Sequence, residues 1–304
     1  MPKLSIITVN LNNKAGLIDT AKSVVAKTWT DYEWIIIDGG SADGSVDIIK
    51  EYAEKTDKLV YWCSEPDGGI YQGMNKGIEK ASGEYCWFLN SGDYAYKNAT
   101  LEEIFANKFD EDIVYGDIYI KSPEEIEIKL LGRSNRFIKT NKQNIYNPVD
   151  WNLYAIIKHQ ASFIKRELLN NLGRYKTIYR HANDTAFFMN AIFNHDASVK
   201  HVKVVFAVFM NNGISAGGNI ESDLINKIEH GKLSIEFFPS FFHKIIALAY
   251  LRKLFHRFRE VCTLPFVWGI CFVERIYRFG AEETIRYYKN RIIGRRRAKC
   301  QKSQ

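Results

Sequence analysis

Short apolar runs that end on polar or acidic residues alternate, in the first 95 residues, with segments whose apolar positions recur at helical spacing. The runs occupy residues 4–9, 32–38, 59–64 and 85–89, and the helical patterns are centred on residues 17–25, 46–53 and 70–81. Alternating strands and helices predict a largely parallel sheet with right-handed crossovers. The run at 85–89 carries apolar side chains on both faces, which is typical of a central strand in a covered sheet.

The pattern continues less regularly beyond residue 95. Strand-like runs cover residues 112–120, 159–164 and 199–210, a run at 126–131 is able to pair with the first of them, and residues 183–193 look helical. Residues 132–151 are polar and irregular. After residue 220 the apolar spacing becomes helical and the charge turns positive, so we predict an α/β catalytic domain over 1–220 and a basic amphipathic helical region over 221–304.

Charge is unevenly distributed along the chain. The net charge is +7, but residues 252–304 hold 14 Lys and Arg against 4 Asp and Glu, a net of +10 that leaves −3 for the remainder. Basic residues interleaved with aromatic ones favour helices lying on an anionic membrane surface. The alternative is a helical appendage with a solvated basic face. Nucleic acid is disfavoured as a partner, because no reader motif is present.

Three further features of the sequence bear on location. The apolar stretch at 261–273 is shorter than the roughly 20 residues needed to span a bilayer. The five cysteines form no Cys-x-x-Cys pair and no cluster at zinc spacing, and no long apolar leader follows Met1. We therefore expect a cytoplasmic protein that is peripheral on the inner face of the cell membrane.

Carboxylates recur where the first strands end. Asp38, Asp67 and Asp93 follow the second, third and fourth runs, so whole βα units are expected to bring them to one sheet edge. Each of them alone also suits a turn or a helix cap. Neither glycine-rich phosphate motif, G-x-G-x-x-G or G-x-x-x-x-G-K-[ST], is present. A divalent cation is then the natural way to hold a diphosphate at this edge.

Several motifs occur in a fixed order. They are SIITVN at 5–10, IDGGSADGS at 37–45, SEPDGGIY at 64–71 with MNKG at 74–77, FLNSGD at 88–93, VYGD at 114–117, HQA at 159–161 and NGIS at 212–215. This ordered set resembles the family 2 glycosyltransferases, most closely the branch that builds bacterial capsule, O-antigen and exopolysaccharide units. The resemblance covers roughly residues 3–218.

That resemblance implies a GT-A fold, which is a Rossmann-like mixed sheet flanked by helices, and a nucleotide-sugar donor. By position it implies that Thr8, Asn10 and Asp38 contact the nucleoside, with Asp38 at the base or ribose. It also implies that Asp67 lies beside the uracil or ribose, and that Lys76 lies near the donor.

The residues around Lys76 allow another interpretation. The sequence Asn75-Lys76-Gly77 also suits an ordinary helix C-terminus, with glycine just past the last helical residue.

The motif at 88–93 departs from the family pattern. Relatives in this branch carry Asn-Ser-Asp-Asp, whereas Gly92 stands here at the position of the usual metal-binding carboxylate. The resemblance then implies either that Asp93 binds Mg²⁺ or Mn²⁺ while Asn90 faces the ribose, or that the metal is held weakly through water. We favour Asp93 as the metal ligand.

Inverting transfer, which the resemblance implies, needs one base to take the proton of the acceptor hydroxyl. By position the family's acidic motif places Asp184 as that base, although an acid early in a helix also interacts favourably with the helix dipole. Ala186 stands where many relatives carry a second acid. The same comparison implies that His159 and Gln160 lie on the acceptor side.

Together these observations predict an inverting glycosyltransferase of cell-surface polysaccharide synthesis. It would move a sugar from a nucleotide diphosphate, with UDP favoured, to a lipid-linked glycan acceptor. One alternative is a sugar-phosphate nucleotidyltransferase, but its glycine-rich loop after the first strand is missing. The other is a membrane or nucleic-acid adaptor with a degenerate transferase domain, which Gly92 and Ala186 favour.

Overall fold

A computed structural model describes residues 1–121, 126–129 and 157–210, together with part of a helical stretch between 225 and 236. Contacts divide the chain into two compact units. Unit 1 contains Met1–Tyr179 and Asn183–Gly213, and unit 2 contains Arg180–Ala182 and Ile214–Gln304. The boundary near residue 220 stays a prediction, since most of the chain beyond it lies outside the described residues.

The first half of unit 1 repeats a strand and a helix three times before its fourth strand. The strands are β1 (Leu4–Asn10), β2 (Tyr32–Asp38), β3 (Leu59–Ser64) and β4 (Tyr85–Phe88), and the helices are α1 (Lys14–Val25), α2 (Ser45–Lys55) and α3 (Ile70–Lys80). These four strands are parallel, in the order β3-β2-β1-β4. The sequence pattern predicted this half well, because each strand is a short, mostly apolar run, and β1, β2 and β4 are buried throughout.

The second half is less regular. Its strands are β5 (Tyr94–Ala95), β6 (Ile113–Lys121), β7 (Ile126–Lys129), β8 (Ser162–Lys165) and β9 (Val199–Met210). Its helices are α4 (Thr100–Phe105), α5 (Arg166–Asn171) and α6 (Asn183–Met189), with a 3-10 turn at His159–Ala161 and a π-helical turn at Asn190–Asn194.

The sheet is mixed, as the resemblance implied, and the parallel arrangement predicted from the βα repeat is confirmed for β1 to β4. From β4 the order continues β8-β6-β9-β5, with β7 also paired to β6. Strand β8 runs antiparallel to both β4 and β6, while β6 and β9 are parallel. The regular βα repeat stops after β4, so nothing forces later strands to share its direction. The expected pairing of residues 126–131 with β6 is confirmed over Ile126–Lys129.

Helices cover both faces of the sheet. One buried cluster packs α1, α2 and α4 on the face that carries Trp34 and Trp87. The other packs α3, α5 and α6 on the face that carries Phe88 and Tyr115. Among the described residues, both side-chain sets of β1, β2 and β4 are buried, as expected for central strands covered on two sides.

One local expectation was wrong. Residues 159–161 form a 3-10 turn and not a strand, because the Ala161 N–H bonds the Lys158 carbonyl at 2.9 Å and the Trp87 indole N–H bonds the Gln160 carbonyl at 2.8 Å. The helix predicted over residues 70–81 is confirmed as α3, and the alternative of a helix C-terminus at Gly77 is wrong, since Gly77 is buried inside the helix.

Unit 2 is described only in part. Within it, the buried carboxylate of Glu229 accepts the backbone N–H groups of Arg180, His181 and Ala182, at 2.7, 2.8 and 3.1 Å. The predicted tail helices from residue 237 onward lie outside the described residues. In the part of the chain that is described, no helix is long and apolar enough to cross a bilayer.

Candidate active site

The end of β2 is organised around Asp38, which is fully buried. Its Oδ1 accepts from Asn10 Nδ2 at 2.7 Å and from the Ser41 hydroxyl at 2.6 Å. Its Oδ2 accepts from the Ser64 hydroxyl at 2.6 Å and from the Gly40 and Ser41 amides at 3.2 and 2.8 Å. Burial alone would raise the pKa of Asp38, but these donors lower it below its usual value. The carboxylate is therefore ionised and fixes the loop after β2.

Asn10 and Thr8 occupy different environments on β1. The Asn10 amide donates to Asp38, while its Oδ1 is buried and has no hydrogen-bond partner among the described residues. That oxygen is free to accept from a ligand. Thr8 is fully buried, and its hydroxyl accepts the Trp34 indole N–H at 3.0 Å. Thr8 therefore packs in the core of unit 1, and its predicted contact with the nucleoside stays a prediction.

Asp67 lies near the loop after β2, and Lys76 is paired with Glu65, two residues before Asp67. A Cβ added at Gly39 would lie 3.4 Å from Asp67 Oδ1 and 3.3 Å from Leu11 Cδ1, so the loops after β1, β2 and β3 meet here. Lys76 pairs with Glu65 at 2.9 Å, and both side chains are substantially exposed. Its predicted place near the donor stays a prediction.

The polar turn after β4 is tied to helix α1 by Thr20. The Thr20 hydroxyl lies 2.6 Å from the Asp93 carbonyl oxygen and accepts the Gly92 N–H at 3.0 Å. Gly92 has a φ of +102°, a conformation that L side chains rarely adopt. The absence of the family's carboxylate at position 92 thus accompanies a backbone shape that favours glycine.

Asp93 is buried, 6% exposed, at the end of this turn. Burial raises its pKa to about 6, although His159, the Met210 N–H and the Gln160 side chain all act to lower it. The Met210 N–H bonds Oδ1 at 3.3 Å, which is a long contact. Asp93 is therefore an acid whose charge is only partly compensated by the protein.

Asp184 stands in the first turn of α6, with its side chain 17% exposed. Its Oδ2 lies 3.0 Å from His159 Nδ1, and its Oδ1 accepts from the Tyr71 hydroxyl at 3.3 Å. Burial opposes ionisation, but the hydrogen bond and charge of His159, together with Lys158 and the Thr185 N–H, lower the pKa of Asp184 to about 2. Asp184 is thus a partly accessible carboxylate that is ionised at neutral pH.

The predicted site residues fall into two groups within unit 1. One, at the ends of β1 to β3, joins Asn10 and Asp38, with Asp67 beside the following loop. The other joins the turn after β4 to α6, and it contains Asn90, Asp93, His159, Gln160 and Asp184.

Sequence reasoning missed two members of this site. Thr20 lies on the buried face of α1, where nothing in the periodicity distinguishes its hydroxyl from an apolar side chain. Tyr71 belongs to the motif at 64–71, and its place at the start of α3 was a signal that it lies near the ligand edge.

The donor atoms near the β4 turn fit a divalent cation of the kind that the fold family implies. Asp93 offers a carboxylate with little compensation, and Asn90 offers a buried Oδ1 without a partner among the described residues. Oxygen ligands of this kind suit Mg²⁺ and Mn²⁺, which commonly complete their coordination with phosphate and water. Within the described ranges there is no cluster of three or more His, Cys, Asp or Glu side chains able to hold a metal alone.

Comparison with known proteins identifies the family. The sequence model described as glycosyl transferase family 2 matches residues 5–173, which is more than half of the chain. The chain belongs to this family. It is accordingly a glycosyltransferase, and the nucleotidyltransferase and adaptor alternatives are set aside.

This family 2 glycosyltransferase is similar in sequence to glycosyltransferases of cell-surface glycan biosynthesis. A PGL/p-HBAD biosynthesis glycosyltransferase of Mycobacterium bovis is 26% identical over 230 residues, which is 75% of this chain and 84% of that protein. The teichuronic acid biosynthesis glycosyltransferase TuaG of Bacillus subtilis is 33% identical over 102 residues, which is 34% of this chain and 40% of that one.

Solved structures confirm the predicted GT-A fold. The mannosyltransferase PcManGT of Pyrobaculum calidifontis, in complex with GDP-Man and Mn²⁺, is similar with a TM-score of 0.61 and 14% identity, over 95% of this chain and 79% of that one. S. aureus TarS 1–349, in complex with UDP-GlcNAc, is similar with a TM-score of 0.58 and 16% identity, over 85% of this chain and 73% of that one.

Proposed function

We propose that this family 2 glycosyltransferase inverts the anomeric centre as it moves a sugar from a UDP-linked donor to a lipid-linked glycan of the cell surface. One observation carries the proposal. Asp184 is ionised, partly accessible, and linked through His159 to Asn90 at the end of β4. A single carboxylate beside the donor edge is what direct displacement requires.

In this reaction Asp184 accepts the proton of an acceptor hydroxyl while that oxygen bonds to the anomeric carbon. The bond from the anomeric carbon to the diphosphate oxygen breaks on the opposite face, and the nucleotide diphosphate leaves with the electron pair. The proton ends on the Asp184 carboxyl group. Because the Tyr71 hydroxyl and the His159 ring each contact one carboxylate oxygen, the base is oriented before the acceptor arrives.

The donor would lie across the two groups of site residues. The free Oδ1 of Asn10 is an acceptor suited to an N–H or O–H of the nucleoside, and the loop held by Asp38 borders it. Binding of UDP-GlcNAc by the similar TarS fragment supports a UDP-linked sugar. A screen of UDP-sugars for donor turnover would identify the transferred sugar.

A divalent cation would be held by Asp93, with Asn90 Oδ1 beside it. When bound, the cation supplies positive charge that stabilises the leaving diphosphate. Mn²⁺ in the complex of the similar mannosyltransferase supports this assignment. Full donor turnover in EDTA would remove the cation from the proposal.

The test of the base is Asp184→Asn, measured as UDP release from a panel of UDP-sugars with a polyprenyl-diphosphate-linked sugar as acceptor. We expect turnover to fall about 10²–10⁴-fold, because general base catalysis contributes on that order, while UDP binding by calorimetry stays nearly unchanged. Asp47→Asn is the matched control, since Asp47 is an exposed acid in the first turn of α2. Normal turnover in Asp184→Asn would place the base elsewhere.

The acceptor and the location rest on the sequence of the tail. Its net charge of +10 over residues 252–304, with interleaved aromatic residues, supports a peripheral position on the cytoplasmic membrane face. We expect flotation with vesicles containing anionic lipid and not with neutral vesicles. Truncation after residue 235 should remove that binding, and equal binding by the truncated chain would contradict it.

A further inference from the structure

The 3-10 turn His159–Ala161 lies beside both carboxylates of the site. Its two polar side chains are adjacent in sequence, and each acts on a different carboxylate. His159 Nδ1 lies 3.0 Å from Asp184 Oδ2, and the Gln160 side chain is close enough to Asp93 to lower the pKa of that carboxyl group. One short turn therefore connects the predicted base with the predicted metal ligand.

The turn is itself held against β4, the strand that precedes the Asp93 turn. The Trp87 indole of β4 donates to the Gln160 carbonyl at 2.8 Å, and Ala161 is buried in the core. Strand β8 begins directly after the turn and pairs with β4 through Trp87 and Phe163. A buried strand pair on one side and a core side chain on the other leave the turn little freedom to move.

The ring of His159 contacts two partners at once. Ionised Asp184 accepts hydrogen bonds only, so Nδ1 of His159 carries the proton that it donates at 3.0 Å. Nε2 lies 3.3 Å from Asn90 Nδ2. Both ring nitrogens therefore face protein groups, while Asn90 Oδ1 has no partner among the described residues.

This geometry differs from the expectation that His159 contacts the acceptor. Both ring nitrogens are engaged by protein groups, and the side chain is only 12% exposed. The ring instead spans the gap between the end of β4 and the start of α6. Since an error of about 1 Å in the position of a catalytic group can cost about 10²-fold in rate, a rigid link between these two elements has direct value for catalysis.

We propose that His159 is a positioning residue: as a bridge from Asn90 to Asp184, it sets the place of the base relative to the donor without binding the acceptor. The proposal rests on the proposed function, because it takes Asp184 as the base. It assigns Gln160 the parallel task of orienting Asp93. It predicts that the turn affects the chemical step more than substrate binding.

Three substitutions separate the two contacts of the ring. His159→Asn keeps an amide near the position of Nδ1, His159→Gln places one near Nε2, and His159→Ala removes both. We expect His159→Ala to lower kcat about 10- to 100-fold while the KM values for donor and acceptor change less than about 3-fold. His159→Asn should recover most of kcat, and His159→Gln should recover little. His195→Asn, on an exposed histidine, is the matched control.

Nuclear magnetic resonance of the ¹⁵N-labelled full chain gives a readout that needs no substrate. We expect the His159 ring, assigned by its loss in His159→Asn, to show a proton on Nδ1 that is hydrogen bonded and is lost or shifted in Asp184→Asn. An Nδ1 without a proton in the wild-type protein would overturn the bridge. So would an acceptor KM that rises about 10-fold or more in His159→Ala with kcat unchanged, since that result would return His159 to the acceptor side.

Failure of the inference is distinguishable from failure of the proposed function. If Asp184→Asn keeps full turnover, the assignment of the base is wrong whatever the state of the ring. If Asp184→Asn is inactive but all three His159 variants turn over normally, the base stands and the positioning role is wrong. Melting temperatures of all variants, with UDP binding, identify any that merely fail to fold.

Discussion

Asp93 and Asp184 lie beside the same turn, yet their surroundings move their pKa values in opposite directions. Burial raises the pKa of Asp93 to about 6, whereas hydrogen bonding to His159 outweighs burial and lowers that of Asp184 to about 2. The pKa of Asp38 is also lowered, because the hydroxyls of Ser41 and Ser64, the Ser41 N–H and the Asn10 amide outweigh the opposing effect of burial. Burial opposes ionisation of all three carboxylates, and the neighbouring donors and charges decide whether it is outweighed.

This difference in hydrogen bonding separates carboxylates that stabilise the fold from carboxylates that can bind a ligand. A carboxylate that the protein satisfies fully, such as Asp38, has nothing left to offer a ligand and stabilises the fold. A carboxylate left undersatisfied, such as Asp93, stores unfavourable free energy that a cation can relieve. Asp184 lies between them, since it is stable as an ion but still partly exposed.

The largest expected effect comes from Asp38→Asn. An amide has one acceptor oxygen, so several of the five donors would lose their partner in a buried site, and we expect the free energy of unfolding to fall by about 3 kcal/mol or more at pH 7. Urea denaturation measures this, with exposed Asp47→Asn as control. A loss below about 1 kcal/mol would break the comparison, because it would mean that the donors do not stabilise the ion.

The next prediction is that Asp93→Asn and Asp184→Asn change the free energy of unfolding in opposite directions at pH 7 to 8 in EDTA. A raised pKa means that ionised Asp93 costs stability, and this cost grows as the pH rises from about 4 to about 6. Asp93→Asn should therefore stabilise the fold by about 1–3 kcal/mol above pH 6, and make no difference near pH 4. Transfer should be lost in the same variant, which separates stability from function.

Asp184→Asn should destabilise the fold over the same range. The lowered pKa gives a stabilisation that is complete above about pH 4 and is lost as the pH falls toward 2. We expect a loss of about 1–2 kcal/mol at pH 7, reduced from the full shift because the side chain is partly exposed. Urea midpoints at several pH values check both variants, and equal signs for the two would contradict the assignment of their surroundings.

The smallest effect concerns Gly92→Asp, which restores the acid that relatives carry at this position. The φ of +102° strains any L side chain, so we expect a loss of about 1–2 kcal/mol. We also expect no tighter binding of Mn²⁺ by calorimetry, since the turn cannot keep its shape. A stable variant that binds Mn²⁺ more tightly would show that the turn is more adaptable than its backbone indicates.

How much the sequence could predict depends on how local each feature is. Strands β1 to β4 and helices α1 to α3 are specified by their own apolar spacing, and their bounds were predicted within a few residues. Strand β5 has only two residues, and helices α4 and α5 only six each, so periodicity has too few positions to detect them. The direction of β8 depends on pairing with distant strands, which local pattern does not encode.

The site follows the same rule. Asp38, Asp93 and Asp184 could be found because strand ends and helix starts are recognisable in sequence. Their protonation could not, because it depends on Ser64, His159 and other donors far away in the chain. Thr8 shows that a matching motif does not reveal the partner of a polar side chain. Its hydroxyl accepts a hydrogen bond from the buried Trp34 indole.

Helix α3 makes the two halves of the site hard to alter separately. A Cβ added at Gly77 would lie 2.4 Å from Ile7 Cγ2, and one added at Gly73 would lie 2.8 Å from Val9 Cγ1, so the helix backbone rests directly on β1. Asp67 lies just before this helix and Tyr71 within its first turn. Substitutions in this segment that alter donor choice would also move Tyr71, and with it the hydrogen bond from Tyr71 to Asp184. Sugar selection and catalytic rate would then have to be optimised together.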